Sequence, residues 1–131
     1  MPVREHQTET PSPAQATAEA VLRLADAGQH RQAIELASAA LTSGSPSPVA
    51  QQLRLLALRT ESLLALLELQ SAEADAQAML ALADRSRVAA HRALALATLA
   101  HVQTRQERNA LALETAGAAL QAAREIGRAH V

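Results

Sequence analysis

The pattern Ala-x3-Ala-x2-Ala-Leu occurs three times in this chain: as Ala33, Ala37, Ala40 and Leu41; as Ala74, Ala78, Ala81 and Leu82; and as Ala112, Ala116, Ala119 and Leu120. Successive occurrences begin 41 and 38 residues apart (33 to 74, then 74 to 112). Offsets of four and three residues put the alanines on one face of an α-helix, and a period near forty residues is the length of a helix pair with its turns. Stacked helix hairpins are the expectation, rather than one closed fold around an active site.

The residue inventory agrees. Alanine makes up about a quarter of the 131 residues, with leucine next, and Phe, Trp and Tyr are absent. Ala and Leu lead the helix propensities, while the β-branched residues that strands favour are sparse. The chain should be all-α. Alanine contacts let helix backbones approach closely but bury little area each, so the leucines must supply most of the apolar burial.

Charge narrows the function classes. The net charge is −1, every basic residue is arginine apart from the histidines, and opposite charges alternate along the chain. A polybasic stripe is missing, so neither nucleic acid nor an anionic membrane is expected as a partner. Cysteine is absent, which removes thiolate chemistry and disulfides. The polar stretch Met1 to Pro13 has no apolar core of a signal peptide, and Leu53 to Leu69 is interrupted by Arg54, Arg59, Glu61 and Glu68. A cytoplasmic protein is expected.

Residues 1–12 read as a disordered leader and 13–131 as one helical repeat domain, in units of about 14–47, 48–86 and 87–127. Ser12 is placed as an N-cap, with Pro13 in the first turn and Gln15 closing a capping box. Helix one should end at Gly28 and helix two near Gly44. Ser47 and Pro48 should start a long helix reaching Leu69, Ser71 should cap the fourth, and Ser86 should start the fifth, about Arg87 to Arg105. The sixth should run from Glu107 to Ile126 and stop at Gly127. Gln103 to Arg108 contains neither Gly nor Pro, so one continuous helix across it is the alternative.

Aligned on the alanine pattern, each unit is a helix pair whose second helix carries the small residues. Unit three, Ala93 to Gly127, has Leu99-Ala100 in its first helix and Ala112-Leu113-Glu114-Thr115-Ala116 in its second; unit one has the turn Gly28-Gln29-His30-Arg31-Gln32-Ala33. This resembles the tetratricopeptide repeat (TPR) family, in the longer variant of bacterial regulatory proteins, over about residues 14–127. The chain departs from that family in lacking its large aromatics and in having Leu69-Gln70 where a glycine turn is expected. The resemblance implies a right-handed stack of three hairpins, six helices in all: a TPR-like α-solenoid.

Chemistry-bearing constellations are few. None of the five histidines pairs with another at i+3 or i+4, so no metal site is expected. Glu73 and Asp75 diverge on a helix, and Glu61 and Glu68 lie two turns apart; both pairs read as solvated faces. The serines Ser12, Ser47, Ser71 and Ser86 sit at expected caps, and a glycine-rich phosphate loop is missing. Gly117, inside the third alanine run, should permit close helix contact. No catalytic residue, metal or cofactor is expected, and the chain should not be an enzyme.

In tetratricopeptide arrays the first helices line a concave groove. Carried over, the resemblance places Gln15, Ala18 and Leu22 there from unit one, Arg59, Leu63 and Leu66 from unit two, and Leu94, Ala97, His101 and Arg105 from unit three. That would be an apolar trough with a basic rim, fitting a protein or an amphipathic helical peptide. The resemblance also implies a non-catalytic interaction or regulatory domain, the N-terminal part of a larger bacterial signalling protein. Two further readings stay open: homodimerisation with a second copy through an uncovered helix face, and a small-molecule sensor pocket in the superhelix.

Overall fold

The computed structural model describes residues 12–44 and 47–129. Apart from Ser12, the expected leader lies outside the described residues. Six helices follow one another: α1 Pro13–Asp26, α2 His30–Leu41, α3 Val49–Ala65, α4 Leu69–Ser86, α5 Ala89–Arg105 and α6 Asn109–Ala129. They pair as three hairpins, α1/α2, α3/α4 and α5/α6, and no strand occurs among the described residues. Every helix packs on the next in sequence. The first helices also pack on one another, α1 on α3 and α3 on α5, whereas the backbones of α2, α4 and α6 do not come into contact.

The hairpin turns reveal the true repeat. Each is a Schellman motif around one left-handed residue: Gly28 (φ 80°), Leu67 (φ 62°) and Glu107 (φ 63°). These are 39 and 40 residues apart (28 to 67, 67 to 107). In every turn the left-handed N–H reaches back three residues, to Ala25, Leu64 or Thr104 O, all at 2.9 Å. The next N–H reaches back five: Gln29 to Leu24 O at 2.8 Å, Glu68 to Leu63 O and Arg108 to Gln103 O at 2.9 Å. Ala33, Ala72 and Ala112 then each donate to the residue that follows the left-handed one, and all three are buried.

This moves the register of the second unit by two residues. Ala74, Ala78 and Ala81, the middle occurrence of the alanine pattern, are exposed; Ala72, Ala76, Met79 and Ala83 form the buried face of α4. Two residues turn a helix by about 200°, so a frame off by two points at solvent.

Three apolar clusters carry the stack. Ala18, Val21, Ala33, Ala37 and Leu55 join α1, α2 and α3. Ile34, Leu63, Leu64, Ala72, Ala76, Leu99 and Val102 tie α2, α3, α4 and α5. Leu53, Leu56, Met79, Ala83 and Ala95 seat α5 on the second hairpin. The large side chains are mainly leucine from α3, set against alanine walls, which allows thin layers without aromatic residues.

Several expected boundaries shift. The capping box at Ser12 is present, with Gln15 N–H donating to Ser12 Oγ (3.2 Å) and Ser12 N–H to Gln15 Oε1 (2.9 Å). Helix α3 stops at Ala65, not Leu69, because Leu67 takes the left-handed conformation. Ser71 caps nothing: α4 begins at Leu69 behind Glu68, which stands three residues before Ser71. The N-cap of α3 is Pro48 rather than Ser47. Ser86 ends α4, accepts the Val88 N–H (3.3 Å) and hydrogen-bonds His91 Nδ1 (2.9 Å). Helices α5 and α6 are separate, broken at Glu107, and α6 continues through Gly127. Gly117 is exposed, and a Cβ built there would meet nothing within 4 Å, so it makes no close contact.

The non-glycine turns carry a cost that can be measured. Leu67 is 70% exposed, so its side chain contributes little burial in exchange for a left-handed backbone. Relief of that strain by glycine, about 1–2 kcal/mol, is partly offset by the greater freedom of glycine in the unfolded chain, about 0.5–1 kcal/mol. Leu67→Gly should therefore stabilise the protein by about 0.5–1 kcal/mol in a urea melt. A loss of stability would show that Leu67 has packing the turn depends on.

Candidate functional site

Two surfaces concentrate features that the packing of the hairpins does not use up. The first is a crevice between α2 and α4, floored by α3. Its lining includes Arg31, Ile34, Ser38, Arg59, Leu63, Glu68 and Asp75. At its base Arg59 makes a bidentate pair with Asp75, Nε to Oδ2 at 2.7 Å and Nη2 to Oδ1 at 2.6 Å, and Nη1 donates to Ser38 Oγ at 2.9 Å. The side chain of Asp75 is 8% exposed and that of Arg59 21%. Hydrogen bonding to Asp75 raises the Arg59 pKa against the opposing effect of burial. The pair is fully engaged and links three helices; it offers a ligand no free charge.

Asp75 is thus not part of a solvated face. It stands three residues after Ala72 and four before Met79, on the buried side of α4. Glu73 is also engaged, accepting from Gln106 Nε2 (2.9 Å) and Arg108 Nη1 (3.2 Å). The Gln106 hydrogen bond, then Arg108, holds its carboxyl below the usual range.

The second surface lies on the far side of the third hairpin. Ala93, Leu94, Ala97 and Ala100 of α5 face Ala116, Ala119, Leu120 and Ala123 of α6 across an open apolar crease. Leu94 is 42% exposed and Leu120 54%. The turn-to-turn offset of 40 residues gives these positions counterparts in the second hairpin. Ala93, Leu94, Ala97 and Ala100 correspond to Leu53, the half-buried Arg54, Ala57 and Thr60; Ala116, Ala119, Leu120 and Ala123 correspond to Ala76, Met79, Leu80 and Ala83. Leu53, Thr60, Ala76, Met79 and Ala83 are buried, Met79 and Ala83 in the cluster that seats α5. A further 39 residues back, Ala18, Val21 and Ala37 lie under α3. The crease on α5/α6 is therefore the helix-receiving face of the repeat, seen without a helix in it.

The ten residues expected to line one groove do not converge. Ala18 and Leu63 are core residues, 0% and 5% exposed. Arg59 points into the α2/α4 crevice, so it cannot belong to a basic rim shared with α5. Leu94 and Ala97 line the α5/α6 crease. His101 lies 3.9 Å from Glu61 of α3, with both side chains well exposed, and Arg105 Nη2 approaches Leu64 O at 3.4 Å. Gln15 and Leu22 on α1, and Leu66 in the second hairpin turn, are exposed but join neither surface. Carrying the family groove over on the alanine pattern assigned α3 the wrong face.

Two further polar side chains in the interior serve the fold. His30 Nδ1 hydrogen-bonds the buried Ser62 Oγ (3.1 Å), and Thr60 Oγ1 donates to Leu56 O (2.7 Å). Among the described residues no group of three His, Cys, Asp or Glu side chains could hold a metal ion, and no helix is long and apolar enough to cross a membrane. No protein-family model, curated protein or solved structure matches this chain.

Proposed function

We propose that this chain is a non-catalytic protein-interaction module, a tetratricopeptide-like stack that docks a helical segment in the α5/α6 crease. The observation that carries this reading is the exposure, on the third hairpin, of positions that receive a helix in the first two. An apolar crease of helix dimensions, walled by alanine and edged by Leu94 and Leu120, suits helix-in-groove recognition. It replaces the concave trough of first helices as the interaction surface. The resemblance to bacterial regulatory repeats adds a signalling role in the cytoplasm as the setting.

A photo-reactive side chain at Leu120 tests it. In an extract of the organism that encodes the chain, illumination should give a discrete protein adduct from Leu120. The same group at Ala78, exposed on α4, should give none. Equal labelling from both positions, or none from either, would remove the crease as a docking site.

A further inference from the structure

Building on the crease as a docking site, we infer that its occupant is a second copy of this chain, paired tail to tail about a two-fold axis through the α5/α6 faces. The two ends of the stack differ in a way that selects this arrangement. The helix that enters a crease uses Leu55, Leu58 and Ser62 in α3, and Ala95, Thr98 and Val102 in α5. The counterparts on α1, the leading end of the stack, are Ala16, Glu19 and Arg23, all exposed. Head-to-tail addition would press Glu19 and Arg23 against a lining of alanine and leucine alone, stripping water from both charges with no polar side chain there to replace it. The leading face of one copy is therefore a poor fit for the trailing face of the next, and an open filament is disfavoured.

The trailing face, in contrast, complements itself. Its lining holds no charged side chain. Leu94 and Leu120 stand out as its large side chains, and Ala93, Ala97, Ala116 and Ala123 leave low ground between them. Two such faces related by a two-fold axis set leucines over alanines and make a four-helix layer of the kind found in bundles. His101 and Arg124 follow Ala97 and Leu120 by four residues, so they stand one turn along at the edges, where water still reaches them.

The area suits a dimer of weak affinity. Helix α5 has 17 residues and α6 has 21. At 1.5 Å per residue and helix axes about 9 Å apart, the shared face measures ~25 by ~20 Å, about 500 Å² from each copy. The total of about 1,000 Å² lies just below the range of stable specific interfaces, about 1,200–2,000 Å², and among weak, transient ones. Weak association, in the micromolar range, is the expected result rather than an obligate dimer.

Sedimentation equilibrium on the 131-residue chain, from about 1 to about 500 µM to span that range, should show the mass rise from one copy towards two. Leu120→Arg and Ala97→Glu alter exposed positions, so circular dichroism should be unchanged while each variant stays at the mass of one copy throughout. The chain has no cysteine, so Ala116→Cys adds a single thiol. A short bis-maleimide should couple two copies through it, whereas Ala78→Cys should remain uncoupled. A mass of one copy at every concentration overturns the inference. So does a dimer that survives Leu120→Arg, or coupling that is equal at both cysteines. A single-copy mass with a Leu120-specific adduct to another protein overturns only the second-copy occupant. Without any adduct, it overturns the docking reading as well.

Discussion

Replacing Arg59 with methionine should cost about 3–5 kcal/mol of stability in a urea melt, as expected when one partner of a buried ion pair is removed. The substitution keeps most of the side-chain volume, so the loss would come from the charge left behind. Asp75 is 8% exposed at its side chain, with both oxygens engaged by Arg59. Without the guanidinium its carboxylate must stay ionised among Ala72, Ala76 and Met79, take up a proton, or pull α4 away from α3. Ser38 on α2 loses its donor at the same time. The double variant Arg59→Met with Asp75→Leu should recover most of the stability, because two apolar residues of similar size leave no unpaired charge. A single-variant loss below about 1 kcal/mol would place the pair with ordinary surface ion pairs.

The pair also shows where reading the sequence stops short. Arg59 and Asp75 are sixteen residues apart, across a hairpin turn whose left-handed residue is leucine. The first hairpin was legible, because Gly28 and the Ser12 capping box mark the ends of α1 directly. At the second and third turns the same Schellman geometry rests on Leu67 and Glu107, residues that announce no turn. Without those markers the pairing of α3 with α4 could not be placed to the residue. The face of Arg59 and the burial of Asp75 then went unseen. One signal was available: Asp75 shares a helical face with Ala72, Ala76 and Met79.

Helix content and the hairpin repeat followed from composition and from the forty-residue recurrence, while the break between α5 and α6 stayed open because Gln103 to Arg108 holds neither Gly nor Pro. Content and repeat did not require a correct register, since any frame on an alanine-rich helix yields a helix. The surfaces did require it. An uncovered helix face was open as a reading, but the lining of the α5/α6 crease and its counterparts under α3 and α5 emerge only once the turns fix the offsets. Alanine is the reason. In α4 it occupies both the buried face and the solvent face, so apolar periodicity cannot tell one from the other.

That ambiguity is resolved by a pair of substitutions two residues apart. Ala76→Leu should destabilise the protein by about 1–3 kcal/mol, the usual cost of forcing extra methylenes into a packed interior. Ala76 is 0% exposed, in the cluster of Leu63, Leu64, Leu99 and Val102, where α4 meets α3 and α5. Three added carbons there must displace α4 or turn neighbouring leucines off their rotamers. Ala74→Leu should stay within about 0.5 kcal/mol of the parent, because Ala74 is exposed where the α2/α4 crevice opens to solvent and leucine nearly matches alanine in helix propensity. The alanine spacing by itself expects the reverse order, with Ala74 at a helix crossing and Ala76 off it. Urea midpoints for the two variants therefore decide between the frames. A larger loss at Ala74 would restore the 41- and 38-residue intervals and undo the correspondence that identifies the α5/α6 crease.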